Sequence, residues 1–172
     1  MKKMATLILI FILQPGINAQ QLRREADSLL RSITAMPPND TTTINLRNDY
    51  IKQALFADPS DSALMGFAQQ TLAIAKKTRY AKGMMMAYER LGLIHQYVSS
   101  NPYKALEYYH KSLSIIEDDP SLITYKWGIE GNIGLIHYEQ EEYEKALACF
   151  KNILVNNKEL ALTATANIAN VY

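Results

Sequence analysis

Apolar residues recur at helical spacing from Gln20 onward. Leu22, Ala26, Leu29, Leu30 and Ile33 form one stripe, which Pro37-Pro38 ends. Ile44, Leu46, Tyr50, Ile51, Ala54 and Leu55 form a second between Thr41 and about Ala57. Asp58-Pro59-Ser60-Asp61 reads as a turn followed by a capping residue. A third stripe runs from Ala63-Leu64 through Phe67-Ala68 to Leu72-Ala73-Ile74-Ala75. In Asn101-Pro102 and Asp119-Pro120 a capping side chain precedes a proline at the first helical position, so helices are predicted to start near 101 and 120. No alternating apolar pattern and no Asn-Gly or Asp-Gly turn predicts a strand, and the expected class is all-α.

A longer period overlies these stripes. Leu91-Gly92-x-x-His95, with Ala105 and Tyr109 following, recurs as Ile133-Gly134-x-x-His137 with Ala146 and Phe150. Ile168-Ala169-x-x-Tyr172 begins it again. Gly92 and Gly134 are 42 positions apart, and Gly134 and Ala169 are 35 apart. One excess residue lies in the Tyr97–Asn101 turn, and the rest falls around Asp118 to Trp127, where longer helices are expected. Glycine inside a helix costs about 1 kcal/mol relative to alanine, so its use twice at one repeat position implies close packing. Gly92, Gly134 and Ala169 should sit where one helix approaches the next, Ala105 and Ala146 at the matching positions. Tyr109 and Phe150 should then fill space against the following unit.

This spacing resembles the tetratricopeptide repeat, a helix–turn–helix unit with W-x2-L-G-x2-Y and A-x3-F at fixed offsets and a usual length of 34 residues. The resemblance implies a right-handed superhelical solenoid of antiparallel helix pairs that binds protein or peptide segments. Residues 20–57 would form a helical lead-in or cap, and residues 58–172 the repeats, the last of them incomplete. The first helix of each unit would line a groove, with Met86, Glu89, Arg90, Leu93 and Gln96 in one unit. Asn132, Leu135, Tyr138 and Glu139 would follow in the next, and Ala166, Asn167 and Asn170 in the last. Glu89 and Leu93 stand where some family members carry a carboxylate clamp, so that ligand class is not expected. Asn132 and Asn167 match a family ladder of asparagines that holds an extended backbone, and Arg90 departs from it.

The first residues change the expected compartment. Lys2 and Lys3, the apolar run Ala5–Leu13 and the break at Pro15-Gly16 precede Asn18-Ala19-Gln20, the pattern of a signal peptide over residues 1–19 cleaved near Ala19. The apolar run, about ten residues, is short of the ~20 that span a bilayer, so no membrane span is expected. The protein should then be exported, to the periplasm or the extracellular space. The layout resembles the exported N-terminal regions of bacterial signalling regulators, so the chain is expected to be the sensory part of one. A free-standing periplasmic adaptor or assembly factor is the alternative.

Composition adds mainly exclusions. Hydrophobic residues make up 48% and charged residues 20% of the 172, values of a globular chain. Without Lys2 and Lys3, 16 basic residues face 17 acidic ones. With no basic run, nucleic acid is not an expected partner. Self-association through the incomplete last repeat is a further expectation.

No phosphate loop, G-x-S-x-G, H-E-x-x-H or paired-cysteine motif occurs, so neither catalysis, a metal nor a cofactor is expected. His95 and His137 occupy a repeat position usually held by tyrosine and read as structural, while His110 should face solvent. Of Met84-Met85-Met86, one or two should lie in the core. Cys149, the one cysteine, reads as a packing residue between Ala148 and Phe150, with an intermolecular disulfide as the other possibility.

Overall fold

The computed structural model describes residues 19–172; the expected signal peptide lies almost wholly outside them. Among the described residues the fold is all-helical, without strands. The helices are α1 (Ala19–Thr34), α2 (Thr41–Ala57), α3 (Ala63–Lys77), α4 (Ala81–Tyr97), α5 (Pro102–Asp118), α6 (Lys126–Glu139), α7 (Tyr143–Asn156) and α8 (Ala161–Val171). No helix among them is long and apolar enough to cross a membrane. They form two compact units, one ending at Pro120 with α1–α5 and one from Ser121 to Tyr172 with α6–α8.

Local chemistry sets the helix ends. Asp40 caps α2, its carboxylate accepting from Thr42 N at 2.8 Å and Thr43 N at 3.4 Å. The Thr42 side chain first, and then these amide hydrogens, stabilise the charged carboxylate and hold its pKa below the ordinary value. Asn101 caps α5 through Lys104 N at 3.0 Å, and Pro102 occupies the first turn, where its missing N–H leaves nothing unpaired. The turns after α4 and α6 each place one residue in the left-handed region, Ser100 at φ 46° and Glu141 at φ 62°. That twist returns an amide onto the helix just ended: Asn101 N donates to His95 O and Glu142 N to His137 O, both at 2.8 Å. The first of these loops is one residue longer, as the spacing predicts.

Around Pro120 the structure differs from the expectation of an α-helix start and longer flanking helices. A 3-10 helix, Pro120–Tyr125, separates α5 from α6. Its three-residue turn suits a short stretch pinned by one buried side chain, Leu122.

In the first unit each helix packs on the next in the chain, and α2 also packs on α4. The core contains Ile44, Ile51, Leu55, Leu64, Met85, Leu91, Ile94 and Tyr109, all at most 1% exposed. Met86 is also buried, so two of the three consecutive methionines are core residues. In the second unit Leu135, Ala146, Phe150, Ile153 and Ala164 form the centre, flanked by Trp127, Tyr138, Leu160, Ile168 and Val171.

Two helix pairs repeat one contact. A Cβ built on Gly92 would lie 2.5 Å from the Tyr109 ring, and one on Gly134 would lie 2.6 Å from the Phe150 ring. The aromatic side chain therefore rests on the glycine of its own pair. The expectation placed these rings against the following unit; the structure seats each on the glycine of its own pair, and Phe150 also shares a core with Ala164 of the next helix. Ala105 and Ala146 are fully buried one turn earlier on the same helix faces.

Candidate binding surface

The residues predicted to line a groove divide by depth. Arg90 (5% exposed), Leu93 (2%), Gln96 (8%), Asn132 (5%), Leu135 (2%) and Asn167 (0%) are buried. Leu135 belongs to the hydrophobic centre of its unit, and Met86 is buried too. Glu89 and Tyr138 are half-buried, Ala166 likewise, and Glu139 and Asn170 are exposed. The predicted face is thus mostly interior, its polar residues drawn into the helix layer.

Several of these buried groups serve the packing. Arg90 Nε donates to Asn48 O at 3.0 Å, tying α4 to α2. Its Nη1 lies 2.9 Å from Glu89 Oε2, an ion pair in which the N–H does not point along the contact. Gln96 Oε1 accepts from the Tyr109 hydroxyl at 2.9 Å. Asn48 Nδ2 donates to Ile44 O at 3.0 Å and reaches Gly83 O at 3.4 Å. Asn48 precedes Arg90 by the same 42 positions that separate Arg90 from Asn132. It is thus an earlier member of the asparagine series that the sequence reading missed. The signal was there in the period, but no glycine or histidine accompanies it in α2.

Asn167 is enclosed, and neither its Nδ2 nor its Oδ1 has a hydrogen-bond partner. A buried unpaired amide costs about 1–3 kcal/mol. Replacing it by leucine, which has the same branched shape without the polar atoms, should therefore raise the melting temperature of the second unit by a few degrees in differential scanning calorimetry. A fall in the melting temperature would show that the amide has a stabilising partner.

The accessible polar surface lies elsewhere in the first unit. A cleft of about 450 Å³ is lined by Glu25, Ser28 and Leu29 of α1 with Asp49, Lys52 and Gln53 of α2. Lys52 joins it electrostatically to α4. Burial is the main cause drawing its pKa down; the Arg90 charge acts the same way, and Glu89 and Asp49 oppose both. Glu89, predicted from sequence, acts on the charge of Lys52 but does not line the cleft, and the sequence did not single out the residues that do. They come from α1 and α2, helices outside the clear repeat motif.

The histidines are held by neighbours on the second helix of each pair. The His95 ring stacks on Tyr108, with centroids 5.3 Å apart and planes 7° apart. Burial, then Lys104, lower its pKa. His137 Nδ1 contacts Glu142 Oε2 at 2.5 Å. His110 is exposed, as expected. No group of three or more potential metal ligands occurs among the described residues.

Cys149 is a free, partly buried thiol. Burial, with Glu130 second, pushes its pKa up to about 11. Because the thiolate is the reactive form, folded protein at pH 8 should alkylate with maleimide at least tenfold more slowly than protein in guanidinium chloride. Equal rates in the two conditions would refute that burial.

No family model matches the chain, and no curated protein or solved structure matches it.

Proposed function

We propose that this chain is a tetratricopeptide-type scaffold that binds a protein segment, and that it is the sensory part of an exported signalling regulator. The observation that carries the reading is the repeated glycine–aromatic contact, Gly92 with Tyr109 and Gly134 with Phe150. The same pairing of an open slot with a ring, at the same place in two successive helix pairs, is what a stacked repeat requires.

The surface assigned to the ligand is the cleft between α1 and α2, with Glu89 of α4 adding its charge at Lys52. Glu25 and Asp49 line it with Lys52, and the Glu89 carboxylate and Arg90 guanidinium of α4 act on the Lys52 charge. This balance favours an extended segment with at least one basic side chain.

A random-peptide display screen against the purified protein tests the proposal. Enriched peptides should carry Lys or Arg and lose about tenfold or more in affinity to the Asp49→Lys, Glu89→Lys double variant. Failure to enrich any peptide, or unchanged affinity in a variant with an unchanged melting temperature, would overturn it. The export reading is tested separately, by N-terminal sequencing of protein recovered from outside the cytoplasm. A mature end near Gln20 supports it.

A further inference from the structure

Lys104 and Lys111 both pair with Glu107, Lys126 pairs with Glu130, and Lys145 pairs with Glu142, each partner three or four positions away on its helix. Lys52 of α2 departs from this habit. Asp49 stands three positions before it and lines the same cleft. Among the described residues, however, neither side chain has a hydrogen bond or an ion pair. Lys104, Lys111 and Lys145 are exposed, whereas Lys52 is half-buried, where an unpaired charge costs more. Nor does α4 supply a free partner. Glu89 acts on Lys52 from a distance, but its carboxylate is already engaged by Arg90 at 2.9 Å.

The acids of the cleft are equally unmatched. Glu25 of α1 accepts one hydrogen bond, from Gln21 Nε2 at 3.1 Å, and has no cation paired with it among the described residues. One cation and two carboxylates therefore line the same space of about 450 Å³ without neutralising one another. Ser28 and Gln53 add uncharged polar groups to the lining, and Leu29 an apolar one. Burial and the Arg90 charge both disfavour the Lys52 ammonium, so an added negative group beside it would be favoured.

We propose that this cleft takes a zwitterionic ligand, its ammonium or guanidinium received by Glu25 and Asp49 and its carboxylate received by Lys52. The inference rests on the assignment of this cleft to the ligand, and it adds a requirement to that assignment. A basic side chain alone would match the acids, leave Lys52 unpaired and be repelled by it. A group of each sign matches all three charges. The cleft volume lies in the range of small-ligand sites, so both groups fit. The pair of charges can come from two side chains of a protein segment or from one free amino acid, and the recognition chemistry is the same.

Isothermal titration calorimetry at low ionic strength tests this with end-blocked peptides and one free zwitterion. The peptides are Arg-Gly-Glu, Arg-Gly-Gln and norleucine-Gly-Glu, each also made without the glycine and with a second one. The free zwitterion is ε-aminocaproate, with hexanoate and hexylammonium as its controls. Wild type should bind the best Arg–Glu peptide about tenfold or more tightly than its Gln or norleucine counterpart. Lys52→Met keeps the aliphatic stem and should abolish the preference for Glu over Gln; Lys52→Gln serves if that variant melts early. Glu25→Gln with Asp49→Asn should abolish the preference for Arg over norleucine. Equal binding of the Glu and Gln peptides by wild type, or a Glu preference that survives in both Lys52 variants, overturns the inference and leaves a site for basic segments standing. Saturable binding of ε-aminocaproate, but of no blocked peptide and neither control, supports the zwitterion and overturns the protein-segment reading. No binding by any probe overturns both.

Discussion

Gly134→Leu is expected to unfold the second unit, with loss of helical signal from α6–α8 at temperatures where the first unit remains folded. The added Cβ alone would lie 2.6 Å from the Phe150 ring and 3.0 Å from the Cys149 Cβ. Neither neighbour is the loose end of a flexible chain. Phe150 is fully buried, and the Cys149 Cβ is fixed by the α7 backbone. Alanine at this position would gain about 1 kcal/mol in helix propensity. Overpacking a tight core site costs about 1–3 kcal/mol, and the rest of a leucine adds to it. The steric term wins. Circular dichroism melts of wild type and variant, with proteolysis to locate the opened region, check this. An unchanged melt with residues 121–172 still protected would contradict the assigned packing.

Tyr109→Ala is expected to destabilise the first unit by about 3–5 kcal/mol, the usual range for removing a buried aromatic ring. Tyr109 is 0% exposed and fills the Gly92 slot. Its hydroxyl donates to the 8%-exposed Gln96, whose Nε2 already lacks a partner. Removing the ring therefore opens a cavity and takes a hydrogen bond from the Gln96 amide. Tyr109→Phe separates the two effects. It keeps the ring, loses only the hydrogen bond and should cost about 1–2 kcal/mol. Urea denaturation of both variants checks the order. Equal losses would mean that the hydroxyl, and not the ring, holds the pair together.

The helices were legible because their determinants are local. The stripes at Leu22–Ile33 and Ile44–Leu55, the Asn101-Pro102 cap and the Pro37-Pro38 stop each act within a turn or two of the backbone. Their observed limits agree with the predicted ones to within a residue or so. The 3-10 stretch at Pro120–Tyr125 was not legible, since proline after a capping residue opens either helix type and Leu122 burial is a tertiary fact.

Depth was also illegible. Asn167 and Leu135 occupy positions that a repeat pattern assigns to an exposed face, and only the packing of neighbouring helices shows them enclosed. Glu89 acts on the charge of Lys52, but Lys52, Asp49 and Glu25 belong to α1 and α2, where the motif is too degenerate to mark them. The glycine slots were recognised as close approaches from their cost alone. Their true occupants, Tyr109 and Phe150, needed coordinates.

The neighbour-to-neighbour order of helix packing has a consequence for how the molecule comes apart. Within the first unit each helix leans on the next one along the chain, with α2 on α4 as the longer reach. Contacts so close in sequence cost little loop entropy to form, so folding should be fast. The same locality makes cooperativity short-ranged. A ligand that grips α1 and α2 would thus stiffen its own end first, and a tug on one terminus would peel helices away in succession instead of breaking the whole at once.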